Sequence, residues 1–466
     1  MAEFTLSQPT HEPASVRLQA SRKPMNRRRF LETLAVIAGT SSSAGAVLSA
    51  CNTNSGVTGA NNKTTLTVMY NVNEFSQQYI NEFQKKHPDI KIRFVNDDPT
   101  RLSAMLAAGQ PPDFIRTQGA PVLPNLAARK LVADLTPYFS ASSVLKTDNM
   151  LPVNDVYRWD GQSQGQGSRY GMAKDWSQDV MMWYNKKLFD QAGVPYPSET
   201  QPLTYDELLD LGKRLTIRKN GKIQVYGCDA SWGFVPQGHI IQMIAQQGGS
   251  LFNTDYTKVD FTTPEARKAV KWYVDWAQAH VGVSPLDPDP SSLFQANRLA
   301  ITMYGYWYNG MIASDTQGLK DHVGFLPAPV MGPNRISSCM AGTGAWIPAV
   351  SKNKDAAWKL MEYFMTDTPS HDRAKSGWGI PSLKSLLPEM SRTIPYQKQA
   401  YQVQQAELPY LKVLKFSPYI SDDAFTAAFD PVVESMMRNQ LSFDSGIQKL
   451  NDTINQRLQQ GKAQIS

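Results

Sequence analysis

Short apolar runs alternate along this chain with stretches whose apolar residues recur at helical spacing, and no other feature constrains the fold as strongly. Leu66-Thr67-Val68-Met69-Tyr70 is short and apolar enough for a buried strand. Phe75, Tyr79, Ile80 and Phe83 follow at helical spacing, and Pro88 stops that helix. Ile90–Val95 alternates as a second strand. A helix around Arg101–Ala108 ends at Gly109, and Pro111-Pro112-Asp113 leads into a third strand at Phe114-Ile115. Strands that alternate with helices predict an α/β fold in which a mostly parallel sheet is covered by helices on both faces.

The pattern then repeats. Tyr157–Gly171 is polar and turn-rich, and Val180–Tyr184 begins a new apolar run, so the chain is expected to cross into a second lobe there. Thr204-Tyr205-Asp206-Glu207 is a capping box for a helix through Leu215. Thr263-Pro264 starts another helix, with Val270, Tyr273, Val274 and Ala277 on its inner face. Leu299–Met303 and Val323–Leu326 read as strands, and Ala357, Leu360, Met361 and Phe364 mark a helix. Two closing helices are expected, Pro431–Asn439 with Asp430 as its cap and Ile447–Leu458. A chain of 466 residues exceeds what one ordinary core organises, which also argues for two lobes.

Ahead of this lies Arg27-Arg28-Arg29-Phe30-Leu31, then a weakly apolar run whose only charge is Glu32, closing on Leu48-Ser49-Ala50-Cys51. The arginines would stay on the cytoplasmic side while the run crosses and the small residues admit a peptidase. The arrangement resembles a twin-arginine export signal joined to a lipobox, which makes Cys51 the lipidated mature N-terminus. An uncleaved anchor is the competing reading, and the glycines and serines of 39–45 make it a poor permanent span. Residues 25–51 are therefore assigned to the signal and 52–63, nearly devoid of apolar residues, to a flexible tether. Residues 1–24 read as a disordered extension or as a misassigned start ahead of Met25.

The formal charge of +6 overstates the basicity of residues 52–466, because six Lys/Arg and three acids fall within residues 1–51. The remaining charge is too small and dispersed for a nucleic-acid binder. Of three cysteines, Cys228 and Cys339 remain after Cys51, either as a pair or as two isolated buried thiols. The six histidines form no pair at metal spacing, and neither a phosphate loop nor a nucleophile elbow occurs, so no metal and no cofactor are expected.

Five segments in order carry a family resemblance: Asn81–Asp89, Ala107–Phe114, Met182–Phe189, Leu299–Trp307 and Ala341–Ala349. Together they make the chain similar to the extracellular solute-binding proteins of ABC importers, sugar-binding class (family 1), to which maltose-binding protein belongs. The resemblance implies a two-lobed periplasmic-binding-protein-like fold (type II) with the ligand cleft between the lobes. It implies discontinuous lobes, 64–172 with 345–390 and 173–344 with 391–466. It implies a monomeric binding protein rather than an enzyme, held outside the cytoplasm by its lipid, which delivers a sugar or oligosaccharide to permease subunits. By the same correspondence the ligand-binding residues are Asn73, Glu74, Thr117, Gln118, Asp175, Trp176, Trp232, Tyr306, Trp307, Gly342, Thr343, Trp346 and Trp378. The third strand departs from the pattern: Thr117 and Ala120 stand near the positions where maltose-binding proteins have an aromatic-plus-acid pair.

The residues themselves agree with such a cleft. Polar or aromatic side chains follow the apolar runs at Asn71–Glu74, Arg116–Gln118, Asp175-Trp176 and Tyr306-Trp307, and a sugar needs both kinds, amides and acids for hydroxyls and flat rings for C–H faces. Glu74 and Asp175 are the acids, with Arg116 as the only nearby base, which points to a neutral solute. Tryptophan is more often core than platform, and Trp272, Trp276 and Trp358, inside helices, are read as packing. Two other functions stay open: a secreted carbohydrate-active hydrolase, whose carboxylates could come from distant positions, and a sensor or adhesin using the same cleft.

Overall fold

The computed structural model describes residues 63–231, 238–282 and 290–465. Cys51 and Trp232 lie outside them. Two main sheets organise the described chain. The first has six strands in the order Ile380–Pro381, Gly171–Trp176, Thr343–Trp346, Phe114–Thr117, Thr64–Tyr70, Ile90–Asn96. The second has five: Val323–Leu326, Met182–Asn185, Leu299–Thr302, Lys222–Asp229, Ile217–Lys219.

Both sheets are mixed rather than mostly parallel. Thr64–Tyr70 runs parallel to both Ile90–Asn96 and Phe114–Thr117, as the strand–helix alternation requires. Thr343–Trp346 is antiparallel to its two neighbours, and Ile380–Pro381 is antiparallel to Gly171–Trp176. The second sheet pairs Leu299–Thr302 in parallel with Lys222–Asp229 and otherwise antiparallel. The cause is the chain path. A strand that enters a sheet from the other lobe must run against those that end there, and periodicity carries no record of that direction. Gly171–Trp176 and Thr343–Trp346 both sit wholly in the first sheet, so divisions after residues 172 and 344 would cut two of its strands.

Local sequence explains most helices. Ser76 caps Gln77–Lys86, which buries Ile80 and Phe83. The capping box of Thr204 and Glu207 is present in both directions at Tyr205–Leu215. Pro264–Gln278 starts under the Thr263 cap and buries Val270, Tyr273, Val274 and Ala277 together with Trp272 and Trp276. One expected start is wrong. Pro431 does not open a helix but sits inside Asp422–Met437, which is capped by Ser421. Buried Phe425, Phe429 and Val433 keep that helix continuous through the proline, a tertiary gain that a local reading cannot weigh. The last helix, Phe443–Ile465, outruns its expected end at Leu458.

Aromatic and aliphatic side chains fill the core. On the first sheet Leu66, Val68 and Phe114 pack with Trp358, Leu360 and Phe364. Under the second, Tyr184, Tyr205, Ile301 and Phe429 join Trp272 and Trp276. Cys228 and Cys339 are free and buried, which resolves the choice between a pair and separate thiols. Among the described residues no helix is long and apolar enough to cross a membrane.

Candidate ligand cleft

A cavity of about 270 Å³ opens where strand ends of both sheets meet the connecting segments. Asn71, Asn73 and Glu74 follow the first strand, Arg116 and Gln118 come from the third, and Asp175 and Trp176 end Gly171–Trp176. Trp307 follows Leu299–Thr302 of the other sheet, Gly342 and Thr343 lie on a returning connection, and Trp378 precedes Ile380–Pro381. Nine of the residues expected at the site thus line one cavity: Asn73, Glu74, Gln118, Asp175, Trp176, Trp307, Gly342, Thr343 and Trp378.

Three others do not line it. Tyr306 is fully buried, its ring against Phe325, because the short turn Tyr306–Tyr308 points alternate side chains inward and outward. Trp346 and Thr117 are buried and line an adjoining chamber instead. Trp232 falls outside the described residues.

Trp307 is placed by its turn. Gly305 enters the turn with φ of 58°, and a Cβ there would come within 2.5 Å of Ser177 Oγ. Its amide donates to Met181 O at 2.9 Å, its carbonyl accepts from Trp183 Nε1 at 2.7 Å, and the Tyr306 amide donates to Ser177 Oγ at 2.7 Å. These contacts pin the turn to the first connection between the sheets. Trp307 stacks beside Trp378, their centroids 6.2 Å apart and their planes within 16°. Gly310 leaves room for Trp378, since a Cβ there would lie 2.4 Å from its ring. The Arg373 guanidinium sits 5.3 Å over that ring.

The charges form one network. Arg116 donates to Glu74 Oε1 from Nε at 3.0 Å and Nη2 at 2.8 Å, and from Nη1 to Asp97 at 3.4 Å. Lys174 Nζ donates to Glu74 Oε2 at 3.2 Å, and Arg373 Nε to Asp175 Oδ2 at 2.7 Å. Arg116 is therefore not the only nearby base. Lys174 and Arg373 carry no local mark in the sequence: one sits in a buried strand, the other on the polar helix Thr368–Ser376, 198 residues from its carboxylate. Burial pushes the Glu74 carboxyl up, but Lys174, Arg116 and Arg373 outweigh it and hold it well below the usual carboxylate range. Burial pulls the Lys174 ammonium down to about 8 despite the attraction of Glu74. Three cations thus balance the three acids Glu74, Asp97 and Asp175.

One further acid lies on the connection itself. Asp179 lines the cavity and accepts the amides of Met340 at 2.6 Å and Ala341 at 3.3 Å, joining the first connecting segment to the returning one. Burial pushes its carboxyl up to about 7, against those two hydrogen bonds. Among the described residues no cluster of His, Cys, Asp and Glu is arranged to hold a metal ion.

Residues 71–369 match the pattern of the family described as bacterial extracellular solute-binding protein. The chain belongs to that family. Solved solute-binding proteins share its two-lobed fold. One is an ABC substrate-binding protein from Listeria monocytogenes in complex with cycloalternan, with TM-score 0.71, 22% identity, and coverage of 85% of this chain and 99% of that one. Another, from Thermotoga lettingae and bound with alpha-D-tagatose, has TM-score 0.69, 20% identity, and coverage of 85% and 100%. Among curated relatives, a binding protein of Brucella abortus is 28% identical over 194 residues, 39% of this chain and 43% of the relative. The chain thus spans under half the length of those Brucella relatives. The maltotriose-binding protein of Pyrococcus abyssi is 24% identical over 325 residues, 67% of this chain and 64% of that protein.

Proposed function

We propose that this chain is a lipid-anchored, extracytoplasmic receptor that captures a neutral sugar or oligosaccharide between its lobes and delivers it to the permease of an ABC importer. The observation that carries the reading is a cavity whose nearby cations, Arg116, Lys174 and Arg373, are each engaged by acids and whose lining includes the stacked pair Trp307 and Trp378. A charged solute would need a surplus of one sign, and the cations here are already engaged by acids. Neutral hydroxyls instead find Asn71, Asn73, Gln118 and the free edges of the carboxylates, while C–H faces find Trp307 and Trp378. The names of the relatives, sugar binders among them, point the same way. The strand memberships favour drawing the lobes as 64–176 with 343–390 and 177–342 with 391–466.

The test is a thermal-shift screen of the mature chain against neutral sugars and their anionic counterparts. A bound solute should raise the melting temperature by mass action, with neutral sugars producing the rise. A rise confined to sugar phosphates or uronic acids would overturn the reading. For the anchor, mass spectrometry of membrane-extracted protein should show a chain beginning at diacylglycerol-modified Cys51. A soluble chain that retains residues 25–50 would sink that part.

A further inference from the structure

A second chamber, about 420 Å³, adjoins the first. Arg116 and Gln118 line both, so the two are halves of one cleft with the Arg116 guanidinium between Glu74 on one side and Asp97 on the other. Their linings differ in kind. The helix Pro99–Ala107 buries none of its own residues, and Leu102 and Leu106, one turn apart, face the second chamber together with Val122, Leu126 and Leu131. Two of the polar groups beside this aliphatic wall are engaged elsewhere: Asn125 donates to Pro418 O at 2.8 Å, and Thr117 Oγ1 accepts the Gly119 amide at 3.2 Å. Of the charged lining residues, Arg129 and Asp423 are exposed, Arg116 and Asp97 pair with each other, and Asp422 starts the helix Asp422–Met437. A second sugar ring would set hydroxyls against the aliphatic wall of Leu102, Leu106, Val122, Leu126 and Leu131, where no polar group meets them. An alkyl or aryl group would leave water for a surface that is itself uncovered, which favours the complex.

We propose that the solute is a neutral glycoside carrying an apolar group, with its sugar against the Trp307–Trp378 pair and the apolar group in the Leu102–Leu106 chamber. This rests on the sugar reading above. Gln118, on the shared wall, faces the junction and is placed to accept or donate at the glycosidic linkage. The helix Asp422–Met437, from the part of the chain that packs under the second sheet, supplies Ser421–Asp423 opposite, so closure of the lobes would cover the apolar group as well as the sugar.

The experiment is calorimetric titration of the mature chain with matched methyl and n-hexyl glycosides of glucose, mannose, galactose and arabinose. Each methylene removed from water contributes about fourfold in affinity, so partial burial of the chain should make the hexyl member at least about tenfold tighter. Leu106→Asp should remove that gain and leave the methyl glycoside unchanged, because Leu106 does not line the sugar chamber. Leu102→Ser, a milder change, should reduce it in the same direction. Equal affinities within each pair, a gain that survives Leu106→Asp, or a disaccharide that gains more than the hexyl glycoside would overturn the proposal while sparing the sugar reading. Binding by no member of any pair would overturn the proposal, while the sugar reading is decided separately by the thermal-shift screen.

Discussion

Glu74→Ala should lower the unfolding free energy by about 3–5 kcal/mol, the range for removing one partner of a buried charge network. The magnitude comes from the groups that stay behind. Lys174 is nearly fully buried, and its next carboxylate, Asp175, is 4.0 Å away and already bound to Arg373 at 2.7 Å. Arg116 would keep only Asp97 at 3.4 Å. Two poorly compensated cations would then stand in a site from which water is largely removed. Denaturant unfolding followed by far-UV circular dichroism reads the loss. A loss under about 1 kcal/mol, the value of an exposed pair, would mean that the network is solvated and that the charge-balance argument for a neutral solute has no foundation. The double variant Glu74→Ala/Lys174→Met should recover a substantial part, because it removes the stranded ammonium with its acid.

The pH dependence has a definite sign. Glu74 is held below its ordinary 4.5 in the folded chain, so its contribution is present above about pH 4.5 and is lost as the pH falls toward the depressed native value. Glu74→Gln keeps the shape but not the charge. It should therefore narrow its gap to the parent chain as the solution is acidified, whereas a purely steric role would leave the gap constant.

How much of the fold and cleft was legible in the sequence depended on whether a signal was local. Capping residues, helical apolar spacing and strand-length runs are local, and Thr204 with Glu207 and Thr263 both cap where expected. The cleft was legible where polar residues end apolar strands, as at Glu74, Asp175 and Trp307, because strand ends face the crevice in such folds. What failed was non-local. Strand direction in a shared sheet depends on which lobe the chain comes from, so the sheets are mixed. Tyr306 and Trp307 are neighbours with opposite fates, decided by a turn whose geometry Gly305 sets. Lys174 lies inside a fully buried strand, where its charge is tolerable only because Glu74, 100 residues away, returns to it. Arg373 gains its meaning from Asp175 in the same way.

Trp307→Ala should weaken sugar binding by about 5- to 150-fold, which corresponds to about 1–3 kcal/mol for one large side chain whose apolar face is covered by ligand. Three observations set that expectation above a generic core truncation. The ring lines the cavity and is only partly buried, unlike Tyr306 and Tyr308 on either side of it. It stacks beside Trp378, so its loss removes half of a continuous aromatic surface on the cavity wall. The turn that presents it is held by backbone and Ser177 contacts that do not involve the indole, so the fold should survive the change. Calorimetric titration reads the affinity, and an unchanged far-UV spectrum checks the fold. Trp307→Phe should recover part of the loss, since a smaller ring still offers a flat face, whereas Trp307→Leu, apolar but not flat, should recover less. Normal binding by Trp307→Ala would make the ring a rim residue and leave Trp378 or Trp176 as the stacking surface. Failure of the variant to fold, with Tyr304 and Tyr308 edge-on to the indole at 5.3 and 5.6 Å, would assign Trp307 to the core after all.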